Sequence, residues 1–221
     1  MPVLAATATY DSYYMGRDAV YATAQAATAA SNQGPTPAIG QESGPNPDEY
    51  FVWRGGLFFD TSSIPSDAAV ISATLAVRGL TDSSVNDFDI TVVNGSALSN
   101  PRAFADYGGL LAATASGGII SSTAWSLIAD NEISLNAVGL GFITKAGTTK
   151  LALRSSKDIS ATPPTFGNAY DEWVECYGID AIYPAKLTVS YEAKGNLFVK
   201  AERLHYVSYT GVERYIQGTA V

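Results

Sequence analysis

Ionisable and metal-binding side chains are scarce in this sequence. It has one cysteine, Cys176, and one histidine, His205. A lone cysteine excludes an intrachain disulfide and a cysteine zinc site, and a lone histidine excludes a multi-histidine metal centre. A Ser/His/Asp triad would have to use His205, which stands in a strand-like run where a cross-strand or surface role is the simpler reading. Cys176 reads as a small buried hydrophobe. Charged residues make up only 15% of the chain, against roughly 25% in average domains. Thirteen Lys and Arg against 21 Asp and Glu leave a net charge of −8. No basic surplus exists to neutralise phosphates, so a nucleic-acid partner is not expected. No apolar run approaches the about 18 residues that a membrane span needs. The run Met1-Pro-Val-Leu-Ala-Ala-Thr-Ala-Thr-Tyr10 has neither a basic n-region nor a continuous apolar h-region. A secretory signal is therefore not expected, and the chain reads as one made in a cytosol.

Apolar and small residues fill the place of charge. Hydrophobic residues are 47% of the 221, with three Trp, 13 Tyr and eight Phe. That is ample core material and excludes intrinsic disorder. The length suits one large β domain, or one domain with an appendage. Its surface must be built largely from Ser, Thr, Ala, Gly and Tyr. Such a surface suits close contact with protein or sugar.

Period-2 alternation dominates the chain. Ile71, Ala73, Leu75 and Val77 alternate with Ser72, Thr74, Ala76 and Arg78. The same rhythm runs through Phe88, Ile90 and Val92, through Ile133 and Leu135, through Leu151 and Leu153, and through Leu187, Val189 and Tyr191. Each predicts a strand with one face toward a core. Gly55 to Asp60 predicts a further short strand. Many short strands separated by Gly, Pro, Asn and Ser predict an all-β fold, an antiparallel β-sandwich with jelly-roll character.

Helix signals are few. Asn100 can cap a turn that starts at Pro101 and ends near Gly108, and Asn136 can cap one that stops at Gly147. Residues 19–30 are almost all Ala and Thr. Residues 31–48 are Pro-, Gly- and Asn-rich and read as a long irregular loop. The boundary falls at Glu192-Ala-Lys-Gly195, which divides a sandwich domain, 1–192, from a C-terminal extension, 193–221. The extension reads as a β-hairpin, Asn196 to Tyr209 and Val212 to Ile216, turning at Thr210-Gly211. A hairpin alone is marginal in water, so it should join the sandwich or pair with another subunit.

Three stretches together carry a family resemblance. They are Arg54-Gly-Gly-Leu-Phe-Phe-Asp-Thr-Ser-Ser-Ile-Pro65 with Val70-Ile-Ser-Ala-Thr-Leu75, Leu151-Ala-Leu-Arg-Ser-Ser-Lys-Asp158, and Tyr183-Pro-Ala-Lys-Leu-Thr-Val-Ser-Tyr191. In order and spacing the chain resembles the DNRLRE-type β-sandwich modules, which are like carbohydrate-binding modules, over residues 5 to 191. The resemblance implies a fold; such modules occur beside enzymes, in adhesins and in virion proteins, so it leaves function to the site.

The candidate sites follow from residue chemistry. Tyr10, Tyr13, Tyr14 and Tyr21 near the start, and Phe198, Leu204, Tyr206, Tyr209 and Tyr215 near the end, are expected at protein interfaces, where Tyr is enriched. Tyr170, Trp173 and Tyr177 stand among Asp171, Glu172 and Glu175. With Trp125 they form a candidate sugar contact, rings stacking on the sugar face and acids accepting hydroxyls. No catalytic pair is placed by sequence, and no enzyme is expected. No cofactor is called for. A structural Ca²⁺ could draw on Asp11, Asp18, Asp158 and Asp180, or on Asp87 and Asp89, although no Asp-x-Asp-x-Asp-Gly run occurs. The function expected is that of a virion structural protein of bacteriophage type, a capsid decoration or tail or fibre component. It would assemble with other virion proteins and with itself, the hairpin or N-terminal arm adding strands to a neighbour. The alternative is a carbohydrate-binding or adhesive module of a cell surface or extracellular protein.

Overall fold

The computed structural model describes residues 1–44, 49–164, 171–179 and 181–193, and the backbone of 205–207 and 213–215. Its strands are β1 (Val3–Asp18), β2 (Asn32–Gly34), β3 (Ala38–Ser43), β4 (Tyr50–Asp60), β5 (Ala69–Ser84), β6 (Asp89–Asn94) and β7 (Gly118–Ser121). They continue as β8 (Asp130–Ser134), β9 (Thr148–Ser155), β10 (Glu172–Cys176), β11 (Lys186–Glu192), β12 (His205–Val207) and β13 (Glu213–Tyr215). Short helices intervene: α1 (Tyr21–Gln25), α2 (Asp106–Gly109), α3 (Ala137–Leu140) and α4 (Ser156–Ile159). The fold is all-β and antiparallel, as the alternation predicts.

Two strands of 16 residues each organise it. The first part of β1, Val3 to Thr7, pairs with β11. After an irregularity between Ala8 and Tyr10 the rest of β1 pairs with β4, and Tyr13 to Met15 also pair with β2. β5 behaves alike: Ala69 to Ala76 pair with β11, Thr74 to Arg78 with β8, and Gly79 to Ser84 with β10. A small sheet thus runs β1–β11–β5–β8. A larger one is centred on β4, flanked by β1 on one edge and by β3 and then β9 on the other. β3 continues to β10 and β5, and β9 to β6 and β7.

The layers enclose one core. Leu75, Val77, Ile133, Leu187 and Val189 from the small sheet pack with Leu57, Phe59, Ile90, Val92, Leu151 and Leu153 from the large. A second core covers the other face of the large sheet: Tyr14, Val52, Phe58, Val93 and Ala152 lie under Tyr21, Ala24, Tyr107 and Leu110. Strand β9 is therefore buried on both faces, where alternation alone would expose Ala152 and Arg154.

A buried charge cluster ties this second layer together. Asp158 accepts two hydrogen bonds from Arg54, Nε at 2.9 Å and Nη2 at 2.8 Å, and one from Arg154 Nε at 2.7 Å. Both guanidiniums and the carboxylate are essentially inaccessible to water. The surplus positive charge is met by carbonyls: Arg54 donates to Gln25 and Tyr107, and Arg154 to Leu110, Leu111 and Ala113. Arg54 also lies 4.0 Å from the Tyr107 ring centroid. The Ser155 hydroxyl caps α4 by accepting from the Asp158 amide, which places the carboxylate between the two arginines.

Several local expectations change. Residues 31–48 are not one irregular loop. They contain β2 and β3, because β3 finds hydrogen-bonding partners on both sides, β4 and β10; residues 45–48 lie outside the described residues. The helical turn expected from Pro101 begins at Asp106 and contains Gly108, because the Asp106 carboxylate gathers the amides of Ser99 and Ala103 ahead of it. The Asn136 cap is as expected, its side chain accepting from the amides of Val138 and Gly139, but the helix ends at Leu140 with Gly141 as its cap and does not run to Gly147. In the extension, β12 and β13 pair with each other as a separate two-stranded sheet.

Burial alone would raise the Asp158 pKa, but the hydrogen bonds and charge of Arg54, then those of Arg154, hold it below the ordinary carboxylate value. A folded pKa below the unfolded one gives stability that is complete above the unfolded value, about 3.9. That contribution is lost as pH falls through the folded value, so the Asp158 share of acid unfolding should appear only below about pH 4. Asp158→Ala leaves two buried guanidiniums facing each other and should cost about 3–5 kcal/mol, read as a lower urea midpoint at neutral pH. Equal stability of variant and parent would show that the cluster contributes nothing net.

Candidate binding face

Strand β4 presents Phe51, Trp53, Gly55, Leu57 and Phe59 on one side. Leu57 and Phe59 are fully buried in the inter-sheet core, yet Phe51 and Trp53 remain half-buried. The pairing explains the difference. Phe59 lies opposite Ala8, near where β1 leaves the small sheet, whereas Phe51 and Trp53 lie opposite Arg17 and Met15, far beyond it. The small sheet ends before it can cover them.

A lateral row crosses the large sheet at this point. Met15 on β1, Trp53 on β4, Gly40 on β3, Trp173 on β10 and Ser83 on β5 are successive partners. Gly40 has φ 136°, a conformation that L side chains rarely adopt. A Cβ there would meet the Glu172 carbonyl and the Trp173 backbone. With no side chain between them, the two indoles meet at 5.8 Å between centroids, and Phe51 stacks on Trp53 at 5.8 Å and 17°. The three rings form a continuous aromatic surface.

Acids border it. Glu42 is the direct partner of Phe51. Burial, then the charges of Asp171 and Glu49, push its carboxyl above the ordinary value, so these three acids share one neighbourhood. Asp171 lies two residues before Trp173, whereas Glu175 lies opposite Thr81 on β5 and accepts from its hydroxyl at 3.0 Å. The cation at this face, Arg17, is paired with Glu49 and lies 5.4 Å from the Phe51 ring centroid.

The structure separates the sequence candidates. Tyr14 and Tyr21 are core residues, not contact residues. The Tyr14 hydroxyl donates to Asp106 at 2.9 Å, that of Tyr21 to Gln41 at 2.7 Å, and burial pushes the ionisation of both upward. Their spacing along the N-terminal arm gave no sign of this: Tyr14 is covered by residues from 98–110, while Tyr21 belongs to the covering layer itself and packs against Tyr50. Tyr10 is half-buried over Phe58, its hydroxyl accepting from the Arg102 amide, and Tyr13 is half-buried beside Gly34. Trp125 is only 8% exposed and closes the core beside Gly79, so it cannot stack on a sugar. Trp173 belongs to the aromatic row, whereas Tyr177, just past the end of β10, packs edge-on to Tyr183. Tyr170, Asp180, Phe198, Leu204 and Tyr209 lie outside the described residues, as do the side chains of Tyr206 and Tyr215.

Among the acids considered for calcium, Asp158 is consumed by its arginines, Asp11 accepts from the Ile179 amide, Asp18 from Val20 and Asp87 from the Ser122 hydroxyl. Among the described residues no three His, Cys, Asp or Glu are grouped to hold a metal ion. No described helix is long and apolar enough to cross a membrane.

Cys176 lies in the core with its thiol directed at the Pro37 carbonyl, 3.7 Å away, and burial pushes its ionisation well up. It should stay unreactive to a disulfide reagent in the native protein and react in one step on unfolding; rapid labelling of the folded chain would contradict this placement. No family model matches the chain, and no curated protein matches it.

Proposed function

We propose that the protein is a non-enzymatic structural component of a virion, a capsid decoration or tail or fibre protein, that works by burying surface against neighbouring protein. An apolar patch around Arg78 carries this reading. Ile128 is 89% exposed and Ile182 87%; their chain neighbours Leu127 and Tyr183 are exposed as well, as is Leu80, two residues from Arg78. Single exposed apolar residues are ordinary, but a contiguous group marks a contact surface.

The patch is held, not loose. Arg78 pairs with Asp130 at 2.9 Å, donates to the Ile128 carbonyl at 2.9 Å, and lies 4.4 Å from the Tyr183 ring centroid. Tyr183 in turn packs against Tyr177. One guanidinium thus fixes two loops and aims their isoleucines outward. Burying one such side chain contributes about 1.5–3 kcal/mol, and association is what can supply that burial.

Association should show as a molecular mass that rises with concentration in sedimentation of the full chain. The double variant Ile128→Asp/Ile182→Asp should shift the balance toward monomer while keeping the parent's thermal midpoint, since neither side chain is buried. A strict monomer at all concentrations, or a variant that assembles like the parent, would overturn the reading.

A further inference from the structure

The aromatic row has a second property besides its rings: its charge. Among the described residues the ion pairs engage Arg17, Arg54, Arg78, Arg154 and Lys157, and none of them reaches Glu42, Asp171 or Glu175. Two indoles and a phenyl ring with the Glu42 and Asp171 carboxylates beside them present a face with negative potential over negative ring faces. That is the environment in which a guanidinium or ammonium is held, by ring contact and by carboxylate together. Arg17 already shows the chemistry within the chain, lying against Phe51 while pairing with Glu49.

The sequence also contains a segment of opposite sign. Residues 1–193 carry nine Lys and Arg against 19 Asp and Glu, whereas residues 194–221 carry Lys194, Lys200, Arg203 and Arg214 against Glu202 and Glu213. The net charge of −8 is therefore divided into −10 and +2. The basic segment contains the β12–β13 pair, which among the described residues is a two-stranded sheet of its own.

We infer that the Phe51–Trp53–Trp173 face, with Glu42 and Asp171, is the docking surface for the basic segment 194–221 of a second copy of this chain. This rests on the assembly reading for the source of the cations, but it uses a different surface from the Arg78 patch. The C-terminal segment of one copy lies on the sheet of the next. Its arginines and lysines cover the rings that the small sheet leaves open. A head-to-tail contact of this kind uses two unlike surfaces and generates rings or filaments.

Complementary full-length variants test it. One carries a reversed face, Glu42→Lys/Asp171→Lys; the other a reversed segment, Lys200→Glu/Arg203→Glu. Each alone should associate about tenfold more weakly than the parent, and raising salt should weaken the parent likewise. Mixing the two should restore association, because the intact segment of the first meets the intact face of the second. Parent-like association of both single variants would overturn the proposal while leaving the Arg78 patch as the assembly surface. Loss in each without recovery on mixing would overturn it as well, as would a parent that never associates. Indole quenching by maltohexaose that neither salt nor the face variant diminishes would also overturn it, and would assign the rings to sugar.

Discussion

The contact on which the second layer depends is one carboxylate between two arginines. Asp158 sits where β9 has ended and α4 begins, and it holds Arg54 of β4 and Arg154 of β9 with water excluded. Two cations and one anion do not cancel. The remainder is absorbed by carbonyls from Gln25, Tyr107, Leu110, Leu111 and Ala113. Those carbonyls belong to the segments that cover the sheet, so each cover segment is needed to satisfy a buried charge, and each charge fixes a cover segment. A buried ion pair seldom adds net stability over a packed apolar pair, but it is unforgiving of rearrangement. Here its effect is positional: it determines how α1 and the 107–113 segment sit on the large sheet.

The second constraint is the length of β1 and β5. Each is long enough to belong to the small sheet in its one part and the large sheet in the other, and each changes partner near a register irregularity. Because the same two strands frame both layers, the layers part at fixed points. Beyond those points the large sheet continues with nothing over it from the small one. The aromatic face lies there, and the Arg78 patch lies where β5 passes from one sheet to the other. Both candidate surfaces are consequences of the way the sandwich closes.

Much of the architecture was legible in sequence. The alternations around Ile71 to Val77, Ile90, Leu151 and Leu187 are strands, the Asn136 cap is a cap, and Cys176 is buried. Strand β3 was hidden by its Gly and Pro neighbours, since its stability comes from two partners distant in sequence. The site was less legible. Trp173 was identified among its acids, but Phe51 and Trp53 share parity with Leu57 and Phe59, and parity alone assigns all four to the core. Tyr14, Tyr21 and Trp125 were expected outside for the opposite reason: an aromatic residue shows its chemistry in sequence, but not which segment will cover it.

What the sequence by itself determined is therefore local and additive: strand periodicity, the scarcity of charge, the absence of multi-cysteine and multi-histidine sites, and the division of charge between residues 1–193 and 194–221. These depend on residue type and on neighbours a few positions away. What only the tertiary structure decided is coverage. Whether Trp53 is core or surface depends on where β1 changes sheet, and whether Arg54 and Arg154 are exposed cations or buried anchors depends on Asp158 arriving from 104 residues away in one case and four in the other. Burial is a property of the pairing between distant segments, and periodicity carries no record of where a second layer ends.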